Sequence, residues 1–213
     1  MKRLACVLGA GMAAFAAGCS SVDVPQETFY RLEVPAVASP DPQQGGVLRV
    51  MDLQLSTSLA SDCLLRLDGV RLSPRPLARW VAPLDRLVTD ALVLGLSRAR
   101  VCELVKGSAD PGAETWTLRG RLVDFVEVAA PAAPLARVTL ELWLTAGDRV
   151  LFHDEFTADE PLAAAADDAA VQALSKGVTH VVAGVVARMR AQDLFAAARA
   201  ANGATSATAS PSR

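Results

Sequence analysis

Cys19 is the residue whose surroundings most clearly specify a reaction. It follows Ala16-Ala17-Gly18 and precedes Ser20-Ser21. Upstream lie two cations, Lys2 and Arg3, and an apolar run from Leu4 to Ala17. A basic start, a short apolar stretch and small residues at a cut form a secretory signal. With cysteine as the first residue after the cut, the pattern resembles a lipobox, in which the thiol takes a diacylglycerol and the new N-terminus is acylated. Ala16 stands where leucine is usual. Other readings are an ordinary signal peptide cut elsewhere, or a spanning helix. The run of 14 residues, with two glycines, falls short of the roughly 20 that cross a bilayer. Ser20 after the cysteine, by the sorting rule known for such lipoproteins, implies the outer membrane.

Other reactive groups are few. The histidines are His153 and His180, and their neighbours suit surface positions better than catalysis. Asp154 and Glu155 alternate along a strand, so their carboxylates face opposite ways, which is wrong for paired acid–base work. Asp167 and Asp168 are better explained as the start of a helix. Gly45-Gly46 lacks the spacing of a phosphate loop. No His–Cys cluster implies zinc or another metal. The expectation is therefore no catalytic residue, no metal and no cofactor beyond the lipid on Cys19. Cys63 and Cys102 are the cysteines left after Cys6 departs with the signal. In an oxidising periplasm they could form one disulfide, or stay as two small buried thiols, and the sequence leaves both open.

Loss of Lys2 and Arg3 takes the net charge from −2 to −4. No basic patch suits nucleic acid, and no polybasic stretch suits electrostatic attachment to anionic lipid. The expected organisation is a signal peptide over 1–18, a lipidated tether over 19–27, one domain over 28–195 and a disordered Ala/Ser/Thr-rich tail over 196–213.

These residues need elements to position them. Residues 28–35 read as a strand stopped by Pro35, 36–46 as a loop, and 47–55 as a second strand. Asp68-Gly69, between alternating residues of 62–72, signals a hairpin. Ser73-Pro74-Arg75-Pro76 breaks the pattern, and a helix follows from Pro83 to about Arg98. Trp80 aligns with that helix's apolar face, so core packing is its default. A short strand is expected over 100–105 and a turn over 106–112. Residues 115–128, 137–145 and 150–157 alternate as three antiparallel strands. Trp143 falls opposite the leucines of its strand, facing a second layer, a loop or a partner. A long helix runs from about Asp168 to Ala191, with Val171, Leu174, Val178, Val181, Val182, Val185 and Met189 as its stripe. The expected fold is α+β: a mainly antiparallel sheet with two amphipathic helices packed on one face.

The ordered landmarks carry a resemblance. Ala17-Gly18-Cys19 comes first, then Phe29-Tyr30-Arg31-Leu32 with Pro35 close behind. Arg79-Trp80-Val81-Ala82-Pro83-Leu84 leads into a helix with Ala91-Leu92 and Leu96. Arg119-Gly120-Arg121-Leu122-Val123-Asp124-Phe125 precedes Val138-Thr139-Leu140-Glu141-Leu142, and the long helix ends the series. Over residues 17–192 the chain resembles the ABC-type transport auxiliary lipoproteins, the PqiC-like family. The resemblance implies a non-enzymatic outer-membrane subunit of an intermembrane lipid transport system. Its implied partners are a periplasmic MCE-domain protein and an inner-membrane ABC transporter or related membrane protein, with a homo-oligomer as a further expectation. Tyr30, Arg31, Trp80 and Trp143 are the candidate structural or interface residues. The alternative is an envelope lipoprotein that scaffolds or regulates cell-wall machinery. Direct lipid carriage would require an apolar pocket between helices and sheet.

Overall fold

A computed structural model describes residues 25–34, 45–130 and 133–191. The signal segment, Cys19, Pro35 with most of the following loop, and the tail lie outside the described residues. Nine strands and two helices are present among the described residues, in the order β1 (Thr28–Tyr30), β2 (Val47–Val50), β3 (Gln54–Leu55), β4 (Cys63–Asp68), β5 (Arg71–Trp80), α1 (Leu84–Arg98), β6 (Leu104–Lys106), β7 (Trp116–Val128), β8 (Leu135–Ala146), β9 (Arg149–Pro161) and α2 (Asp167–Ala191).

β7 is the spine. Along one side it pairs antiparallel with β8, which pairs antiparallel with β9. Its other side takes β2, β3 and β4 in succession, all parallel. β4 and β5 form the hairpin expected from Asp68-Gly69, closed by a two-residue turn in which Gly69 takes φ +59°. That left-handed conformation is open to glycine at little steric cost. β1 then adds to β5, and β6 to β2, both in parallel. The fold is therefore α+β with a mixed sheet. "Mainly antiparallel" does not describe its topology: five of the eight pairings are parallel among the described residues. The antiparallel ladders are the long ones, and alternation over long strands was what the sequence could display.

Four further expectations change. The strand over 28–35 ends at Tyr30, as β1, because only residues 28–30 find partners on β5. The strand over 47–55 divides into β2 and β3. The break is filled from the helix side, where the Thr89 hydroxyl accepts from the Leu53 amide at 3.1 Å inside the core. Ser73–Pro76 do not end a strand, because β5 runs through both prolines. Beside Pro74 the side of β5 away from β4 carries no partner strand, and Pro76 falls where the β4–β5 register jumps from Arg75 to Arg79. Proline is tolerated at sheet edges and bulges because no ladder hydrogen bond is lost there. The strand expected over 100–105 is shorter and later, as β6, after Arg100 turns the chain with φ +51°.

Both helices pack on the sheet and on each other. Pro83 precedes α1, and Asp167, Asp168 and Arg188, Arg190 occupy the first and last turns of α2. The whole apolar stripe of α2 is buried, with Leu174, Val178, Val182 and Val185 fully so. α2 is long and apolar enough to cross a membrane, but its stripe lies against the sheet, which marks it as a core helix. The helices approach closely at Gly95, where a Cβ would stand 2.9 Å from Val182 Cγ1. One continuous cluster, including Leu48, Leu92, Leu122, Phe125, Leu140 and Leu174, fills the space between helices and sheet.

Candidate functional site

Tyr30 is the innermost residue of β1. Parallel register sets it beside Trp80, and its hydroxyl donates to Asp168 Oδ1 at 2.8 Å. Burial, then the hydrogen bond to Asp168, push its phenol up from 10.0 to about 12. The following residues continue along α2. The Glu33 amide donates to Ser175 Oγ at 3.2 Å, and the Arg98 guanidinium, at the end of α1, donates to the Val34 carbonyl. Between this segment and α2 lies an open cleft of about 530 Å³, lined among others by Phe29, Arg31, Asp168, Val171 and Lys176.

The first turn of α2 is held from a second direction. Arg75 of β5 bridges Asp167 at the helix start and Glu127 of β7. Glu127 is 1% exposed and also lies 3.8 Å from Arg66. A carboxylate so buried must be paired, since removing it from water costs several kcal/mol. Arg75 therefore ties β5, β7 and α2 together through one side chain. Further out, Arg79 donates to Glu27 at 2.8 Å and also pairs with Asp62. The guanidinium hydrogen bond holds the Asp62 carboxyl below its usual range. These pairs fasten the start of the described chain, residues 27–34, to β5, α1 and α2.

The chemistry this arrangement can do is positional. Asp167, Glu127 and Asp62 each face a guanidinium, and Asp168 accepts from the Tyr30 hydroxyl, so every carboxylate of the clamp is engaged in fastening one element to another. Among the described residues no group of His, Cys, Asp and Glu is placed to hold a metal ion.

Of the residues singled out by sequence, Tyr30, Arg31 and Trp80 come together. Arg31 is exposed, 3.8 Å from Glu33, and lines the cleft. Trp80 is 5% exposed, and its ring meets Phe125 edge-on at 5.5 Å, so it is a core residue. Trp143 is elsewhere, on the sheet face away from the helices. It stands cross-strand from His153 with ring centres 5.7 Å apart, and His153 Nε2 is 2.8 Å from Glu141 Oε1. Arg121 and Val150 complete a shallow hollow of about 310 Å³ there. His180 is exposed on α2 and pairs with Glu160. Cys63 and Cys102 do not form the bridge the sequence left open; both are thiols. Cys63 begins β4, while Cys102 follows α1, where burial pushes its thiol up to about 11. Cys19 lies outside the described residues.

Sequence reading missed Arg75, Glu127 and the partner roles of Asp167 and Asp168. Glu127 gave one usable signal, an acid among Phe125, Val126 and Val128 late in an apolar strand. Its face was unreadable because the β7–β8 register slips between Leu122 and Asp124.

Comparison with known proteins agrees with this architecture. A family model described as the ABC-type transport auxiliary lipoprotein component matches residues 30–186. No curated protein matches the sequence. Among solved structures, the chain is similar to protein XCC0632 of Xanthomonas campestris, assigned to DUF330. Identity is 21%, coverage is 75% of this chain and 92% of that one, and the TM-score is 0.67. An uncharacterized protein is similar at 17% identity, covering 77% of this chain and 99% of its own, with a TM-score of 0.64. Hypothetical protein CT253 of Chlamydia trachomatis follows at 10% identity, 72% and 99% coverage, and a TM-score of 0.51. At these identities the structural likeness is one of fold.

Proposed function

Because the chain belongs to the ABC-type transport auxiliary lipoprotein family, we propose that it is the non-enzymatic lipoprotein subunit of an MCE/ABC-type intermembrane lipid transport system. Acylated Cys19 holds it in the outer membrane, facing the periplasm, where it docks the periplasmic MCE assembly. The partner across the envelope is an inner-membrane ABC transporter or a related membrane protein.

The observation that carries this reading is the clamp on the first described residues. A docking subunit must take its anchor from a fixed side of the domain. Here the strand nearest the anchor is fixed by Tyr30–Asp168, Arg79–Glu27 and the Ser175 contact to the Glu33 amide. Several acyl chains give stable attachment, and the clamp makes that attachment bear on the whole domain. Function then resides in protein surfaces. Direct lipid carriage is disfavoured by the core, because apolar side chains occupy the space between helices and sheet.

Two measurements test the reading. Labelling cells with a radioactive fatty acid should mark the wild-type chain and leave Cys19→Ala unmarked. Affinity purification from crosslinked envelopes should recover an MCE-domain protein. Recovery of a peptidoglycan synthase without any MCE protein would replace docking with a cell-wall role.

A further inference from the structure

Two apolar side chains lie open to solvent where the chain enters the domain. Phe29 is 60% exposed and Val81 is 54% exposed. They belong to one patch by register. Phe29 pairs with Arg79, two residues before Val81, and the Val81 amide just past the end of β5 donates to the Tyr30 carbonyl at 2.9 Å, which brings the two side chains into one neighbourhood. The inward partners of the same strands, Tyr30 and Trp80, face the core. Phe29 also borders the open cleft against α2, so the solvent-facing surface around it continues from that cleft.

Chain length says what lies opposite. Six peptide units separate Cys19 from Pro25, the first described residue. Fully extended they span roughly 20 Å. With an acylated Cys19, Pro25 cannot leave the bilayer surface by more than that distance, and Thr28 at the start of β1, nine peptide units from Cys19, by more than roughly 30 Å. The β9 end of the sheet lies on the far side of β7 and β8.

We propose that Phe29 and Val81 form a second, non-covalent membrane contact, seated in the headgroup layer of the bilayer that holds the anchor. The contact rests on the anchored reading above. Its chemistry is apolar. Arg79, between the two, is already engaged by Glu27 and Asp62, and Arg31 is beside Glu33. A zwitterionic surface therefore suffices, and added salt does not release the contact, since screening acts on charges. An anchor plus an inserted aromatic side chain defines an orientation, where an anchor alone permits rotation about the tether.

The test uses the full lipidated chain in vesicles of phosphatidylethanolamine and phosphatidylcholine. The photoreactive analogue p-benzoylphenylalanine replaces Phe29 in one sample and Val150, exposed near the start of β9, in another. After illumination, mass spectrometry reads lipid adducts at each position and acylation of Cys19 in the same samples. Adduct from position 29 should exceed that from 150 by about tenfold, the contrast between a headgroup-layer site and one in water, and should persist in high salt. Val81→Ser should lower the adduct at 29, and circular dichroism should show the fold intact, as suits an exposed side chain. Equal adduct at 29 and 150 on an acylated chain overturns the contact and leaves the anchor standing. A chain that carries no lipid on Cys19 overturns both.

Discussion

The two ends of the sheet are held by different means. At the β8–β9 end, eleven register pairs join β7 to β8 and twelve join β8 to β9. Long backbone ladders and apolar alternation dominate there, with ion pairs such as Arg137–Asp159 and Arg188–Asp154 added at the surface. At the β1 end only three residues of β1 pair with β5, and the pairing is parallel. Order there comes from polar and charged side chains: Arg75 between Asp167 and Glu127, Arg79 between Glu27 and Asp62, and the Tyr30 hydroxyl on Asp168. A short parallel strand cannot stabilise itself, so β1 is fastened by its side chains. The difference predicts where each end breaks.

Arg75→Ala should have the largest effect. It strips the main partner from a carboxylate that is 1% exposed, and breaking such a pair costs about 3 kcal/mol or more. Urea unfolding would read it. A loss under about 1 kcal/mol would mean the clamp is ornamental, because that is the range of surface pairs. Gly120→Ala attacks the other end. Its Cβ would stand 2.3 Å from Leu142 Cδ2 and 2.6 Å from the Glu141 carbonyl oxygen, and backbone cannot yield easily. We expect a loss of about 2 kcal/mol, the usual scale for overpacking.

Tyr30→Phe removes one hydrogen bond and should cost about 1 kcal/mol. It should also loosen residues 27–34, which hydrogen exchange would show as faster amide exchange confined to that segment. Tyr30 is the chain's only tyrosine, so near-ultraviolet tyrosinate absorbance reports it alone. Its folded value, about 12, lies above the ordinary 10.0. The stabilisation is therefore complete below pH 10 and is lost as pH rises towards 12. Titration at the ordinary value in the folded protein would dissolve the Tyr30–Asp168 link. The smallest effect belongs to Asp159→Asn on β9, where Arg137 binds the carboxylate through two hydrogen bonds at 2.8 and 2.7 Å. The pair is partly solvated, so about 0.5 kcal/mol is expected. Arg137 holds the Asp159 carboxyl below its usual range, so that increment is present at neutral pH and fades as pH falls through the lowered value.

The legible and illegible parts divide along the same line. Val138, Leu140, Leu142 and Leu144 alternate with Thr139, Glu141, Trp143 and Thr145, and the structure buries the four apolar residues fully. The α2 stripe, Pro83 ahead of α1 and the turn at Gly69 were equally open to inspection, because each depends on neighbours within a few residues. Asp167 and Asp168 show the limit. Their place at a helix start was readable from sequence, but their partners are Arg75 and Tyr30, 92 and 138 residues away. Ser73–Pro76 misled because proline predicts a stop from local chemistry, while an unpaired edge and a register jump make it harmless. Trp80 read as core by default and Trp143 as opposite the leucines of its strand, and the sheet supplied their neighbours: Phe125 against Trp80, His153 across from Trp143.

The sequence by itself determined the two helices, the β7–β8–β9 ladder, the hairpin at Gly69 and the lipobox-like setting of Cys19. Periodicity and short motifs are properties of neighbouring residues, and they survive without a fold. Tertiary structure alone decided the parallel pairings along β7, the pairing of Glu127 and the fastening of β1 to α2. These depend on segments brought together over long stretches of chain, where register is set by packing and no local pattern records the choice.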